Sequence, residues 1–210
     1  MKILFIDTVH PHLIESLEKL GFICDTAYEK TKKEIEEVIV SYDGVIIRSR
    51  FTLDKSFLKI AKNLKFIARA GSGTENIDLN YAKRRNIFCL TAAEGNSHTV
   101  AEHALGMILN LFHKINKGNQ EIQNGIWERD KNRGVELKNK TIAIIGFGNT
   151  GPAFSKVLSG LGINILAYDK YKTNYPFKSN MQEIFEKADI VSLHVPLTKE
   201  TYKICGKSFI

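Results

Sequence analysis

Three glycines at a fixed spacing have the clearest chemical meaning in this sequence. The segment Gly146-Phe147-Gly148-Asn149-Thr150-Gly151 directly follows the apolar run Thr141–Ile145. In a strand–turn–helix unit, the first glycine permits a tight turn and the second lets the backbone approach a pyrophosphate. The third lets helix and strand pack closely. Because the first turn of the following helix also offers free N–H groups to phosphate oxygens, the spacing predicts a dinucleotide-binding loop.

Asp169 supplies the second half of this prediction. It ends the next apolar run, about 20 residues beyond the glycines, where a ribose-binding carboxylate belongs. A carboxylate at this place accepts hydrogen bonds from the ribose hydroxyls and repels a 2′-phosphate, so NAD is predicted rather than NADP. The alternative interpretation is that Asp169 only ends the strand and begins a turn.

The remaining reactive side chains do not form a pattern typical of catalysis or metal binding. The three cysteines are scattered and lack CxxC spacing, which argues against a zinc site and a disulfide framework and favours the cytoplasm. His98 and His103 lie at the start of a predicted helix and His194 lies in a later loop, and we expect structural rather than catalytic roles for them. No metal site is predicted.

The elements that must position the glycine loop alternate strictly along the chain. Strands are predicted over Lys2–Asp7, Phe22–Thr26, Gly44–Arg48, Leu64–Ala68, Ile87–Leu90, Thr141–Ile145, Ile163–Tyr168 and Ile190–Val195, with a helix between most neighbours. Such alternation predicts an α/β fold with parallel sheets that helices cover. We divide the chain into two βαβ domains, a flavodoxin-like domain over 1–93 and a dinucleotide-binding Rossmann domain over 94–210. Because the alternation stops after Val195, we expect only the first half of the second sheet.

A single long helix is predicted between the two sheets, from Thr99 to about Gln123. Its apolar residues recur at helical spacing. A helix of this length is typical of a connector that packs against a second domain or a second subunit. Trp127 follows it in a polar loop.

Composition and charge restrict the classes of ligand. With 43% hydrophobic and 25% charged residues, the chain is typical of a globular protein rather than a disordered one. The net charge of +7 is spread evenly over both domains, so we expect small anionic ligands and no nucleic acid. The longest apolar run, Ala104–Phe112, is too short to cross a bilayer, and no membrane partner is expected.

Several further motifs, together with the glycine loop, extend over essentially the whole chain. They are Arg48-Ser49, the segment from Arg69 to Asp78 with sequence RAGSGTENID, the segment from Asn96 to His103 with sequence NSHTVAEH, Gly125-Ile126-Trp127-Glu128-Arg129, Glu136–Thr141, and Ser192–Thr198 with sequence SLHVPLT. Taken together, they resemble the D-isomer-specific 2-hydroxyacid dehydrogenases. The resemblance implies that the first domain binds substrate and the second binds NAD.

The resemblance also implies roles for individual residues. Gly71-Ser72-Gly73 matches a loop whose amides hold the substrate carboxylate, as an anion-binding nest would, although an ordinary turn is the alternative. Arg48 matches an anion-contacting position, and with Arg50 and Arg69 it could attract a phosphate ester, although exposed strand-end arginines are common. The residues implied to bind substrate are Arg48, Ser49, Gly71, Ser72, Gly73 and Asn96. Those implied to bind the cofactor are Ser72, Thr99, Gly146, Gly148, Asn149, Thr150, Gly151, Asp169, His194, Val195 and Pro196.

Four departures from the family's pattern are visible. Thr150 replaces an aliphatic residue, Pro152 follows the last glycine, and Glu75 replaces the aspartate that usually precedes Asn76. The family's catalytic arginine, glutamate and histidine follow the loop His194–Thr198, so we expect them beyond Ile210. We expect the 210-residue chain alone to be inactive, and no catalytic residue is assigned in it.

The activity implied for the intact enzyme is oxidation of a D-2-hydroxy acid to a 2-oxo acid with NAD. D-3-phosphoglycerate, the hydroxy acid that enters serine synthesis, is the favoured substrate. The resemblance also implies a homodimer formed through the long helix 99–123 and the Trp127 region. Two alternatives stay open: a non-catalytic, NAD-sensing binding protein like the family's corepressors, and a naturally truncated pseudoenzyme.

Overall fold

The computed structural model describes residues 1–206 and divides the chain into two compact units. The first unit spans Met1–Gly95 and the second begins at Asn96. Both contain only parallel strands in their sheets, so the predicted α/β class with two parallel-sheet βαβ units is confirmed. The last four residues of the predicted second domain lie outside the described residues. Within 1–206, none of the helices has the length and apolar character needed to span a bilayer.

The first unit alternates strands and helices along the whole of its length. Its strands are β1 (Lys2–Phe5), β2 (Ile23–Thr26), β3 (Gly44–Ile47), β4 (Phe66–Arg69) and β5 (Phe88–Thr91). Its helices are α1 (Pro11–Lys19), α2 (Lys32–Val38), α3 (Lys55–Ile60) and α4 (Leu79–Arg84), and a 3₁₀ turn over Ile39–Ser41 follows α2. Asp54 is the N-cap of α3, because its carboxylate accepts the N–H of Phe57 at 2.9 Å.

The five strands lie in the order β2-β1-β3-β4-β5, which is the flavodoxin-like order. Alternate residues of each strand face opposite sides of the sheet. Leu4, Ile6 and Ile67 pack with residues of α2, α3 and α4 on one side. Ile3 and Phe5 pack with residues of α1 on the other. Because all five strands are parallel, their carboxyl ends meet at one edge of the sheet, where Asp7, Arg48 and the segment Gly71-Ser72-Gly73 lie.

The second unit begins with two helices and continues with a βαβαβ segment. The helices are α5 (Ser97–Phe112), α6 (Ile115–Gln123), α7 (Thr150–Leu158) and α8 (Met181–Lys187). The strands are β6 (Thr141–Ile145), β7 (Asn164–Tyr168) and β8 (Ile190–Leu193). Helix α5 packs on α7, because Ala101 and Ala104 lie in one buried cluster with Phe154 and Leu158.

The prediction of one helix over 99–123 is wrong, because the chain forms the two helices α5 and α6 with a break between them. Lys114 adopts a left-handed conformation with φ of 52°, which an α-helix does not allow. The Asn110 side chain accepts the N–H of Asn116 at 2.8 Å and so supports the start of the second helix. The apolar spacing that suggested one helix continues across the break, from Leu111 to Ile115.

The second sheet reverses its strand order beside the glycine loop. The order is β7-β6-β8, so β8 lies on the opposite side of β6 from β7. The segment after β7 loops round and pairs in parallel with the outer edge of β7, where Ala167 donates to Phe177 at 2.7 Å and accepts from Ser179 at 2.8 Å. Ligands of open α/β sheets bind at such a reversal, outside the carboxyl ends of the strands.

Candidate functional site

The glycine loop connects β6 to α7 and lies against the chain that leaves β8. Gly146 has a φ of 95°, and a Cβ built on it would lie 2.3 Å from the carbonyl oxygen of His194. A Cβ on Gly151 would lie 2.3 Å from the carbonyl oxygen of Gly146. Both glycines are therefore required by close backbone approach within the protein itself.

Gly148 differs from its two neighbours in this loop. A Cβ built on it would meet no atom within 4 Å, so this part of the backbone is open to a ligand. Asn149 occupies the N-cap position of α7, and Thr150 is the first residue of that helix. Since the first N–H groups of a helix have no partner within it, this end offers hydrogen-bond donors and a positive dipole end to an anion.

Asp169 follows β7, and its carboxylate accepts hydrogen bonds from backbone N–H groups of the glycine loop and of the segment after β7. One carboxylate oxygen accepts the N–H of Phe147 at 2.7 Å, and the other accepts those of Tyr171 and Lys172 at 2.9 and 3.0 Å. Burial alone would raise the pKa of this carboxyl, but the three N–H donors and the Lys172 charge outweigh it. The pKa of Asp169 therefore lies below its ordinary value, and the side chain is an anion at neutral pH.

A cavity of about 370 Å³ lies between the loops that leave β6, β7 and β8. Six of the predicted cofactor-binding residues line it, namely Gly146, Gly148, Asp169, His194, Val195 and Pro196. The volume is within the range for small-molecule sites. With an open backbone at Gly148 and an anionic acceptor at Asp169, the residues fit the adenosine and pyrophosphate parts of a dinucleotide.

His194 is held by hydroxyl groups within the protein. Its Nε2 lies 2.9 Å from the Ser192 hydroxyl, and its Nδ1 lies 3.0 Å from the Thr150 hydroxyl. Its ring packs on Phe154, with centroids 5.3 Å apart. Burial lowers the pKa of His194, which favours the neutral ring. Thr150, the departure from the family's pattern, therefore ties the first turn of α7 to the loop after β8.

The segment Arg48–Arg50 of the first unit is fixed by a single carboxylate. Asp7 accepts the N–H groups of Arg48, Ser49 and Arg50 at 2.6, 3.1 and 3.3 Å. The carbonyl oxygen of Arg48 accepts from Asn76 and Arg69. The backbone of this segment is thus held from both sides, whereas the Arg48 guanidinium has no partner among residues 1–206.

The suggestion that three arginines together attract an anion is not supported by these contacts. The Arg50 guanidinium donates to the carbonyl oxygens of Ile6 and Ala27 at 2.9 Å each. Arg69 donates to Glu75 at 2.7 Å. Because the guanidinium groups of Arg50 and Arg69 are engaged within the protein, Arg48 is the arginine of the three whose guanidinium N–H groups are free to bind a ligand.

The loop Gly71-Ser72-Gly73 offers two backbone donors rather than three. The N–H of Gly71 donates to Arg69 at 2.8 Å. Those of Ser72 and Gly73 have no acceptor in the described part of the chain. A Cβ on Gly73 would overlap the end of the Glu75 side chain, which is exposed and can move aside, so the fold itself does not require glycine at this position. Two adjacent free N–H groups are sufficient for one carboxylate oxygen.

Three predicted site residues, Asn96, Thr99 and Ser72, do not line the cavity beside Asp169. Asn96 occupies the N-cap position of α5 without a side-chain cap bond. Thr99 lies on α5 and lines a different cavity of the second unit, with Glu102 and His103. Ser72 belongs to the first unit. In residues 1–206, no group of three or more His, Cys, Asp and Glu side chains is arranged to hold a metal ion.

Sequence reasoning missed two residues whose hydrogen bonds hold these sites in place. Asp7 follows β1 at the carboxyl edge of the sheet, and that position was the available signal for it. Tyr175 accepts the backbone N–H of Asp169 at 2.8 Å through its hydroxyl. No local pattern marks Tyr175, because it lies in an irregular segment between β7 and α8.

Comparison with protein families gives a match over the second unit. Residues 105–210 match the model of the "D-isomer specific 2-hydroxyacid dehydrogenase, NAD binding domain". This range covers the glycine loop, Asp169 and the loop after β8, which form the cavity described above.

Individual relatives match over nearly the whole chain. A D-3-phosphoglycerate dehydrogenase of Archaeoglobus fulgidus is 32% identical over 99% of this chain and 40% of its own length. A hydroxypyruvate reductase of Thermotoga maritima is 35% identical over 88% of this chain and 61% of its own. The chain thus spans about two fifths of the first relative's length. Among solved structures, an NAD⁺-bound 3-phosphoglycerate dehydrogenase of Entamoeba histolytica superposes with a TM-score of 0.79. It is 33% identical over 96% of this chain and 64% of that one.

Proposed function

Because the chain belongs to the D-isomer specific 2-hydroxyacid dehydrogenase family, we propose that its protein oxidises a D-2-hydroxy acid to the 2-oxo acid with NAD. The resemblance and the NAD cofactor predicted from the sequence are confirmed by the family match. The observation that carries the proposal is the cavity at the strand-order reversal, which combines an open glycine backbone with an anionic Asp169.

The second unit would hold the cofactor. The open backbone at Gly148 and the first N–H groups of α7 would bind the pyrophosphate, and Asp169 would accept the adenosine ribose hydroxyls. Val195 and Pro196 would lie beside the second ribose of the dinucleotide. When bound, NAD supplies the hydride acceptor, and the residues of this chain supply binding and orientation.

The first unit would hold the hydroxy acid. The free N–H groups of Ser72 and Gly73 would bind the carboxylate, and Arg48 would bind a second anionic group. A phosphate ester offers that second anion, and for this reason we propose D-3-phosphoglycerate as the substrate. The phosphoglycerate dehydrogenases among the relatives support this choice.

The cofactor assignment is tested by titrating the chain with NADH and NADPH and following the nicotinamide fluorescence. We expect NADH to bind more tightly than NADPH. Asp169→Ala should raise the Kd for NADH by about tenfold and reduce the difference between the two dinucleotides. A wild-type chain that binds both equally would contradict the role of Asp169.

The substrate assignment is tested with two ligands that differ only in the phosphate, D-3-phosphoglycerate and D-glycerate. Arg48→Gln should weaken binding of the phosphate ester by about tenfold and change that of D-glycerate by less than about twofold. Arg84→Gln, an exposed change on α4, is the control. Equal losses for both ligands would contradict the assignment. Turnover is measured on the natural protein that contains this sequence.

We also propose a homodimer formed through α5, α6 and the segment that follows them. Their exposed apolar side chains support this proposal, since Leu111 and Trp127 are 74% and 78% exposed. An apolar surface of this kind is typical of an interface. Leu111→Glu should convert a dimer into a monomer in sedimentation experiments, and a wild-type monomer at high concentration would contradict the proposal. The cysteines of residues 1–206 are all unpaired, which supports the cytoplasm as location.

A further inference from the structure

The segment between β7 and α8 contains a tyrosine that supports the cofactor-binding carboxylate. This segment, residues 170–180, loops back so that residues 177–179 pair in parallel with the outer edge of β7, through the hydrogen bonds of Ala167 with Phe177 and Ser179. It therefore runs where an additional strand of the sheet would lie. The return places Tyr175 beside the end of β7 and beside the glycine loop.

Tyr175 makes two contacts that meet at the cofactor site. Its hydroxyl oxygen accepts the backbone N–H of Asp169 at 2.8 Å. Its ring stacks on that of Phe147, with centroids 5.2 Å apart and planes inclined by 30°. Phe147 is the second residue of the glycine loop and is 2% exposed. Tyr175 thus contacts both the residue that would bind ribose and the loop that would bind pyrophosphate.

These contacts close a ring of three residues. Asp169 accepts the N–H of Phe147 at 2.7 Å, so each of Tyr175, Asp169 and Phe147 contacts the other two. In such a ring, the position of the Asp169 carboxylate depends on the anchoring of its own backbone N–H. Removing the Tyr175 hydroxyl would leave that N–H without its acceptor and release one side of the ring.

The charges around Asp169 make its position decisive for the choice of dinucleotide. Lys170 is paired with Glu200 at 2.7 Å, and the Lys172 ammonium donates to the carbonyl oxygen of Gly148 at 3.3 Å. Both lysines are exposed and follow Asp169 within three residues, and the Lys172 charge lowers the pKa of the Asp169 carboxyl. A 2′-phosphate would meet the Lys172 cation here, whereas the Lys170 charge is paired with Glu200, and the Asp169 carboxylate would repel the phosphate.

We propose that Tyr175 is a positioning residue that maintains the preference for NAD over NADP by holding the Asp169 carboxylate in place. The inference rests on the proposed function, because it requires the dinucleotide to bind at Asp169. It assigns the specificity of the site to a side chain that does not line the cavity and lies in a segment outside the regular sheet.

The test is a double-mutant cycle on the 210-residue chain, read as the ratio of the Kd for NADPH to that for NADH. Tyr175→Phe keeps the stacked ring and removes the hydroxyl. It should raise the Kd for NADH by about fivefold and that for NADPH by less than about twofold, so the ratio falls. In an Asp169→Ala background the same change should alter neither Kd by more than about 1.5-fold, because its effect passes through the carboxylate.

Tyr81→Phe is the matched control. Tyr81 is half-buried like Tyr175, lies in the first unit, and its hydroxyl has no partner in the described part of the chain. This variant should leave the ratio of the two Kd values unchanged. Thermal unfolding of every variant is measured in parallel, so that a loss of stability is seen separately from a loss of selectivity.

Each outcome separates the inference from the proposed function. A fall in the ratio for Tyr175→Phe that disappears in the Asp169→Ala background supports the positioning role. A lower melting temperature with an unchanged ratio, or an equal loss in both backgrounds, means that Tyr175 only stabilises the fold, and the inference is refuted. A wild-type chain that binds neither dinucleotide refutes the proposed function, and the inference with it.

Discussion

Gly146 and Gly148 are two residues apart, and the structure predicts opposite consequences when each is changed to alanine. At Gly146, the left-handed φ of 95° costs a residue with a Cβ about 1–2 kcal/mol. The new Cβ would also lie 2.3 Å from the carbonyl oxygen of His194, and such overlap costs about 1–3 kcal/mol. Together, Gly146→Ala should destabilise the second unit by about 2–5 kcal/mol.

Gly148→Ala is the matched change in the same loop. Its φ lies outside the left-handed region and its Cβ would meet nothing within 4 Å, so the protein itself has no steric reason to resist. We expect a change in the free energy of unfolding within about 0.5 kcal/mol. The new methyl group would instead occupy the space that the pyrophosphate approaches, and the Kd for NADH should rise by at least about tenfold.

The two variants are compared by thermal unfolding, followed by circular dichroism, and by NADH titration. For a unit of this size, Gly146→Ala should lower the melting temperature by at least about 8 °C, whereas Gly148→Ala should shift it by about 2 °C or less. The reasoning is refuted if Gly148→Ala destabilises the protein as much as Gly146→Ala. It is also refuted if Gly148→Ala binds NADH as tightly as wild type does.

Three further predictions concern single contacts. Asp7→Ala should destabilise the first unit by about 2 kcal/mol in urea unfolding, because three N–H groups lose a charged acceptor, and unchanged stability would contradict this. Burial lowers the pKa of His194 in the folded protein below the unfolded value of 6.5. Well above pH 6.5 the ring is neutral in both states, and His194 therefore imposes no charging penalty on the folded protein. That penalty appears as the pH falls from 6.5 through the folded pKa, and His194→Gln should flatten this part of a stability–pH curve. Lys114→Gly should raise the melting temperature by a few degrees, because it relieves about 1 kcal/mol of left-handed strain in exchange for an exposed contact with Lys131.

The strands were predictable because each is a short apolar run, and each run ends at a turn or at the start of a helix. Thr141–Ile145 is the clearest case, and the observed β6 has the same bounds. The break between α5 and α6 was not predictable from hydrophobicity, because Leu111 and Ile115 keep helical spacing across it. It depends on a left-handed Lys114 and a side chain-to-backbone bond of Asn110, neither of which leaves a mark in an apolar pattern.

The candidate site likewise depends in part on consecutive residues, which sequence reveals, and in part on contacts between residues far apart in sequence, which it does not. The glycine loop is a pattern of six consecutive residues, so its conformation follows from sequence alone. The anchor of Arg48 is Asp7, which lies 41 residues earlier, and such a pairing appears only once β1 and β3 are placed side by side. Sequence likewise reveals the charges of Arg50 and Arg69 but not the carbonyl oxygens and the carboxylate that engage them.

The return segment along β7 also affects how the second sheet behaves in a concentrated solution. The end strand of a sheet presents unpaired N–H and C=O groups that can recruit a strand from another molecule and start aggregation. Phe177 and Ser179 occupy the two backbone groups of Ala167 at that edge. Within residues 1–206, no strand pairs with the outer side of β8. The outer edge of β7 is therefore partly covered by the protein's own chain, and association by strand addition at Asn164–Tyr168 is disfavoured.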